Sequence, residues 1–352
     1  MPFKGEKKRF LSKVPGTVRV GLVVIAWLFF ISVLHYQINY DTSQRTVVRL
    51  GYMPVITNLA APILDYASRE GEGLRFTAVK FSSFAEMGEA LRNGNIEAAF
   101  IIAPLAIVLR QQGEDVKVVY IGNRHESTLV VRKDLHATRI EDLANRIIAV
   151  PMRYSGHNLS IRQLARQHGL TGKLKVVEMN PPDMPAALAS GALDAYYVGE
   201  PFAAKALKNG DARPLVYVED VWPGFICNVM LVRQSFIDTN PELIKKTVTG
   251  AVRSGLWAKN NLSAAAEIAA SYWNQSAELV EYALTSPSRE RIVFDKYLPR
   301  AEEFQYMATL MTQYGLAQTD RIGCLVEDRF AREASLDGIE GVETIIPDFD
   351  RR

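Results

Sequence analysis

The chain has 352 residues, of which 48% are hydrophobic and 23% charged, and a net charge of +2. That length exceeds one small core and suits two lobes. The basic residues beyond the N-terminus are scattered, which excludes a phosphate-tracking nucleic-acid face, and two cysteines without CxxC spacing carry no metal or redox signature.

At the N-terminus, Lys4, Lys7, Lys8, Arg9, Lys13 and Arg19 precede an uncharged run, 20–34, that includes Trp27, Phe29 and Phe30. A basic flank before an apolar run marks either a cleaved signal peptide or a retained anchor. No small-x-small cleavage site follows, and no nearby cysteine offers itself for lipid attachment. The expectation is a cytoplasmic basic segment at 1–19 and a transmembrane signal anchor at 20–38, single-pass in the inner membrane. The remainder is then exported to the periplasm.

Residues 45–53 read as a first strand ending at Pro54, followed by a helix over about 60–70 with Thr57 and Asn58 as capping candidates. A strand at 74–81, a helix capped by Ser82-Ser83, a strand at 98–102, a helix opened by Pro104 and a strand at 116–121 follow. This β-α-β-α-β-α-β order predicts a parallel sheet with helices on both faces. A strand-like run at 129–131 and a helix start at 138–143 open a second unit. Pro181-Pro182 disfavour helix there, and 184–189 reads as a short helix stopped by Gly191. Residues 195–198 form a buried strand, from which Gly199-Glu200-Pro201 turns into a further helix, and 215–218 is another strand. The run 225–232, containing Cys227, reads as a strand returning to the first sheet. Amphipathic helices at 243–260 and 264–274 follow, and 327–352 is expected to be an extended tail.

Residues 86–113 align without gaps on 183–210, an offset of 97. Identities include Met87/Met184, Leu91/Leu188, Gly94/Gly191, Ala98/Ala195 and Pro104/Pro201, and strand, turn and cap positions coincide. The fold class is therefore α/β, with two similar parallel-sheet lobes joined by a hinge and C-terminal helices added. Lobe 1 is assigned to 45–128 and 223–326, and lobe 2 to 129–222.

Two such lobes face each other across a cleft lined by the loops at their strand ends. Symmetry nominates 54–58 with 151–158, and Ala103-Pro104 with Gly199-Glu200-Pro201. In the polar loop Arg153-Tyr154-Ser155-Gly156-His157-Asn158, a helix N-terminus favours a polar or anionic group. Ser155 and His157 are read as ligand contacts, with helix capping as the alternative for Ser155, and Asn158 equally as a cap or a contact. Glu200 is the first candidate, either touching the ligand or acting as a hinge carboxylate bonded to backbone N–H groups. Trp222, at the crossover between lobes, either closes the cleft or packs in the core; His125 is read as a hinge or surface residue. No GxSxG, P-loop, GxGxxG or HExxH motif occurs, so no catalytic residue, cofactor or metal ligand is assigned and the chain is not read as an enzyme.

These residues resemble periplasmic solute-binding proteins of ABC importers, in the nitrate/sulfonate/taurine/bicarbonate group. The resemblance spans about 45–260 and rests on Leu50-Gly51-Tyr52 with Asn58-Leu59-Ala60, Glu141-Asp142-Leu143, Ser155 with His157-Asn158, Pro181-Pro182-Asp183-Met184 and Gly199-Glu200-Pro201-Phe202. It implies a type II binding-protein fold that closes on a small organic or oxyanion solute and delivers it to a membrane permease and ATPase. The ligand-binding set is then Tyr52, Thr57, Asn58, Pro104, Tyr154, Ser155, His157, Asn158, Glu200 and Trp222. Related binders of thiamine-precursor pyrimidines have a Glu at the position matching Glu200, which implies a direct role for it. The nitrate and bicarbonate binders surround their anion with a His and a cation; His157 matches the first, and the second has no counterpart placed here. The alternative is a membrane-tethered sensor subunit that signals to a partner protein.

Overall fold

A computed structural model of the chain describes residues 15–39, 45–70 and 73–346. Residues 1–46 form a unit of their own. Within it lies one helix, Gly16–Asn39, whose stretch Gly16–Tyr36 has a mean hydropathy of 2.3 and is long and apolar enough to cross a membrane. Its described side chains are exposed. Most of the basic segment, 1–14, lies outside the described residues.

The second unit, 47–352, contains two sheets. The chain lays down β1 (Thr46–Tyr52), β2 (Leu74–Lys80), β3 (Ala98–Ile102) and β4 (Val116–Ile121). It crosses over to β5 (Ser127–Arg132), β6 (Ile147–Val150), β7 (Lys175–Glu178), β8 (Ala195–Gly199) and β9 (Ala212–Tyr217), and returns in β10 (Asn228–Arg233). The first sheet has the order β2-β1-β3-β10-β4 and the second β7-β6-β8-β5-β9. β1 pairs parallel with β3, and β6 with β7 and β8. The two strands that follow a crossover, β10 and β5, run antiparallel to both of their neighbours. The strand expected over 225–232 does return to the first sheet, but it begins at Asn228 and inserts between β3 and β4, which therefore do not pair. The repeat is visible directly, since Ala98–Ile102 and Ala195–Gly199 stand 97 positions apart at equivalent places in the two sheets.

Helices cover both faces of the inner strands, which explains their unbroken apolar runs. Every residue of β3, β4 and β8 is buried, whereas the edge strands β2 and β7 are largely half-buried or exposed. The helix Ala60–Ala67 is capped by neither Thr57 nor Asn58; its N-cap is Leu59, and the Asn58 amide donates instead to the Met53 carbonyl. Ser83 stands at an N-cap, but its side chain makes no capping bond.

Two crossover segments, 122–126 and 218–227, lie side by side. Arg124 bridges Ile226 in antiparallel fashion, and its guanidinium donates to the Gly224 carbonyl at 2.7 Å and pairs with Glu303. The Gly224 N–H donates to His125 Nε2 at 2.6 Å, which gives His125 a hinge contact. Gly122 allows the first crossover to pass against the first-lobe loop, because a Cβ there would lie 1.9 Å from the Thr57 carbonyl oxygen. The lobes also touch directly, the Ile56 N–H donating to the Glu200 carbonyl at 2.8 Å.

The C-terminal segment, expected to run extended, is packed against the first lobe over 327–346. It contains a short helix, Arg329–Arg332, and buries Phe330, Ala331 and Ile345. Just before it, Val326 bridges Val118 of β4. The buried Arg253 guanidinium donates to the carbonyls of Ser335, Asp337, Gly338, Thr344 and Ile345, which gives an aperiodic segment backbone partners in place of regular structure. Residues 347–352 lie outside the described residues. Arg253→Ala is expected to cost about 3 kcal/mol of stability, since several buried carbonyls lose a charged donor together. Limited proteolysis should then release the tail before the lobes are cut; a tail as resistant as in the wild type would show that Arg253 does not hold it.

Candidate functional site

Where the two crossovers meet both lobes, polar side chains form a buried chain of contacts. Thr57 Oγ1 donates to Asn58 Oδ1 at 3.2 Å, and the same oxygen accepts from Asn228 Nδ2 at 2.8 Å. The Cys227 thiol donates to Asn228 Oδ1 at 3.4 Å and its sulfur lies 4.0 Å from His157 Nε2. His157 Nε2 is hydrogen-bonded to Ser127 Oγ at 2.8 Å, and that hydroxyl also donates to Glu126 Oε1 at 3.1 Å. Glu126 Oε2 in turn accepts the Glu200 backbone N–H at 2.7 Å. All seven side chains are buried.

Local sequence builds this arrangement. Ser155 is the N-cap of the helix Gly156–Gln167 and accepts the Asn158 N–H at 3.1 Å, so His157 projects from the first helical turn. Gly156 is needed because a Cβ would meet the Phe225 ring at 2.6 Å. Gly199 is needed because a Cβ would lie 2.5 Å from the Glu126 carboxylate. The edges and faces of Tyr197 and Phe225 flank the His157 imidazole, with ring centroids 5.4 and 5.5 Å away.

Burial dominates the electrostatics. It pushes Glu126 up to about 7 and His157 down to about 3, and raises the Cys227 thiol well above its ordinary value. At neutral pH His157 is therefore uncharged, Cys227 is a thiol and not a thiolate nucleophile, and Glu126 carries a weakened negative charge. Among the described residues, the amide nitrogen and oxygen of Asn123, on the first crossover, and His157 Nδ1 are buried without a protein partner. Such orphaned groups are uncommon in a protein interior, and Glu219 Oε2, Arg233 Nε, Trp273 Nε1 and Arg291 Nη1, which are not part of this chain of contacts, share the condition.

Of the residues expected at the site, the structure brings Thr57, Asn58 and His157 into this chain. Pro104 lies in the first turn of the helix Ala103–Gln111, whose Ala103 N–H donates to the Cys227 carbonyl. Ser155 acts as the cap. The Asn158 amide donates to the Arg153 carbonyl, and its oxygen accepts from Arg162. The Tyr52 hydroxyl reaches the Tyr272 carbonyl, among the C-terminal helices. Tyr154 stacks beneath the Arg153 guanidinium and lines a separate surface cavity with Val108 and Gly315. Trp222 packs edge-to-face against Phe225 and Tyr306.

Glu200 contributes its backbone N–H to the chain, while its carboxylate faces elsewhere. Oε2 accepts the Ala204 N–H at the start of the helix Phe202–Asn209, and Oε1 accepts from Thr128 and lies 3.6 Å from Arg291 Nη1. Arg291 also pairs with Glu219 at 2.8 Å, donates to Ser127 O and Thr128 Oγ1, and lies over the Tyr217 ring. Sequence reasoning missed Arg291, Glu126, Ser127 and Asn228. Asn228 did leave a signal, a lone amide inside the apolar run 225–232; Arg291, in an irregular charged segment, left none.

A match to the NMT1-like family covers residues 41–272. The chain belongs to the NMT1-like family. The taurine-binding periplasmic protein of Escherichia coli K12 is 30% identical over 178 residues, which is 49% of this chain and 54% of that protein. The nitrate import ATP-binding protein NrtC of Synechococcus elongatus is 25% identical over 234 residues, 60% of this chain and 35% of NrtC. The chain thus spans about half or less of the length of these relatives. Among solved structures, the ligand-binding component of an ABC-type import system from Staphylococcus aureus, with zinc bound, superposes with a TM-score of 0.75. It is 24% identical and covers 83% of this chain and 100% of its own, a likeness of fold. The expected resemblance to periplasmic binding proteins of importers, and the two-lobed α/β fold, are borne out in this NMT1-like chain.

Arg291→Met is expected to destabilise the protein by about 3–5 kcal/mol in denaturant unfolding, because it leaves the buried Glu200 carboxylate and that of Glu219 without a cation. Lys259→Met, which removes the half-exposed pair with Asp295, should cost no more than about 1 kcal/mol. Equal losses in the two variants would contradict the ranking of Arg291 as a buried structural cation.

Proposed function

We propose that this NMT1-like chain is the extracytoplasmic solute-binding subunit of an ABC importer and captures a small oxyanion of sulfonate or nitrate type. The observation that carries the reading is the buried polar chain where both lobes and both crossovers meet, together with the orphaned Asn123 amide and His157 Nδ1. Neutral donors and acceptors enclosed by apolar walls suit a small polar ligand held by hydrogen bonds. A taurine-binding relative and a nitrate-import relative support a solute among small oxyanions. The Glu200 carboxylate, turned to Arg291, does not repel an anion at this site, and burial weakens the charge on Glu126. Access follows from bending at the paired crossovers, with the lobes parting and closing. The thiol state of Cys227 favours binding over nucleophilic catalysis.

Isothermal titration of the full-length chain against taurine, longer alkanesulfonates, nitrate, bicarbonate and pyrimidines is expected to show one class binding at a single site. Asn58→Ala and Asn228→Ala should each weaken that solute at least tenfold, about 1.4 kcal/mol, with Tyr154→Ala unchanged. No binding across the panel, or binding indifferent to both asparagines, would overturn the assignment.

We also propose that the helix Gly16–Asn39 is a retained, single-pass inner-membrane anchor with the lobes in the periplasm. Its length and hydropathy support the reading, as does the basic flank before it. Sequencing the N-terminus of the mature protein tests it: a start near Asp41 would show cleavage and remove the anchor.

A further inference from the structure

We infer that Glu126, His157 and Cys227 form a buried binding site for a zinc-type divalent cation. One ligand atom from each residue lies within 4.8 Å of the other two, and all three residues are buried. They come from three separate segments: Glu126 from the first crossover, Cys227 from the second, and His157 from the first turn of the second-lobe helix. No short sequence spacing could announce such a set, which is why two isolated cysteines and scattered histidines read as carrying no metal.

The donor chemistry selects the ion. Calcium and magnesium take shells of oxygen ligands, whereas one thiolate, one imidazole and one carboxylate match zinc. With Zn–N about 2.0 Å and Zn–S about 2.3 Å, tetrahedral geometry sets the N–S separation at about 3.5 Å. His157 Nε2 and Cys227 Sγ stand 4.0 Å apart, so a shift of a few tenths of an ångström completes that edge. The Ser127 hydroxyl, now hydrogen-bonded to His157 Nε2, must turn aside to free the nitrogen. The surrounding residues already fix the ligands: Tyr197 and Phe225 hold the imidazole plane, and the Glu200 N–H orients the carboxylate. Gly199 clears the space that Glu126 occupies.

Charge balance points the same way. Binding exchanges the thiol proton for the ion. A dication with one thiolate, one carboxylate and one neutral imidazole is a neutral assembly, the least costly form for a buried site. Three protein ligands leave one tetrahedral position open. If the solute-binding reading holds, that position would take an oxygen of the oxyanion, making the ion a Lewis-acid contact for a ligand that meets no cationic side chain in the polar chain.

The test uses the full-length chain purified in detergent, with Zn²⁺ or Co²⁺ alone as the probe. One equivalent of zinc per chain should remain after dialysis, and the Co²⁺ form should show a thiolate-to-metal charge-transfer band in the near ultraviolet. Cys227→Ser should abolish the band, His157→Gln should weaken Co²⁺ binding at least tenfold, and Cys324→Ser, which alters the exposed thiol, should change neither. Absence of the band in the wild type, or its survival in Cys227→Ser, would overturn the site. Should Cys227→Ser not fold, Glu126→Gln and His157→Gln decide: each is expected to retain well under one equivalent of zinc after dialysis, and full retention in both sinks the proposal. Repeating the solute titration with a chelator separates the two readings. Solute affinity unchanged by metal removal would strike out the ion's part in recognition while leaving the binding-protein reading intact.

Discussion

A single guanidinium, that of Arg291, sets the charge balance at the end of the second sheet. Its side chain is 3% exposed and lies among Glu200, Glu219, Ser127, Thr128 and the Tyr217 ring. Buried carboxylates are tolerated only with a partner that replaces their water. Arg291 supplies that partner from a segment outside the internal repeat, and so lets the turn after β8 carry a carboxylate where the turn after β3 carries Ala103. The sequence comparison isolates Glu200 as what is new in the second copy; the structure adds that its counterpart is new as well. The orientation of Glu200 follows, and with it the backbone N–H that positions Glu126.

That division of labour explains the character of the polar chain. Formal charge is concentrated at Arg291 and its two carboxylates, while the groups between the lobes are kept near neutrality by burial. Thr57, Asn58 and Asn228 belong to the first lobe, Ser127 and His157 to the second, and Glu126 and Cys227 to the crossovers. Most of these contacts lie within one lobe, but Cys227 against His157 and Glu126 against the Glu200 N–H join a crossover to the second lobe, so relative movement of the lobes acts on those two links. An apolar interface would make closure insensitive to what lies between the lobes; a chain of directional hydrogen bonds makes it depend on the groups that complete the chain.

Much of this was legible in the sequence because it rests on local chemistry. Strand runs such as 98–102 and 195–198, the stop at Gly191, the Ser155 cap position and the 97-residue offset each follow from patterns within a few neighbours. The two-lobed fold and the general neighbourhood of the site came with them. What escaped were contacts between distant segments. The insertion of β10 between β3 and β4 depends on which edge a returning strand finds. Cys227 read only as part of an apolar strand because its own surroundings in sequence are apolar, and its polar neighbours Glu126 and His157 arrive from elsewhere in the chain. The tail read as unpacked because its order comes from Arg253 and not from any period of its own. Tyr52, the last residue of β1, and Tyr154, just before the helix Gly156–Gln167, have side chains that leave the polar chain, since a place in the chain does not fix the direction of a side chain.

The insertion of β10 has a consequence for how the protein is made. Between β3 and β4 the first sheet has a gap that only residues 228–233 fill, and those residues follow the whole of the second lobe. During synthesis from the N-terminus, the first lobe must wait as an incomplete sheet until its partner lobe has emerged. The strand order that joins the two lobes thus ties completion of the first to synthesis of the second.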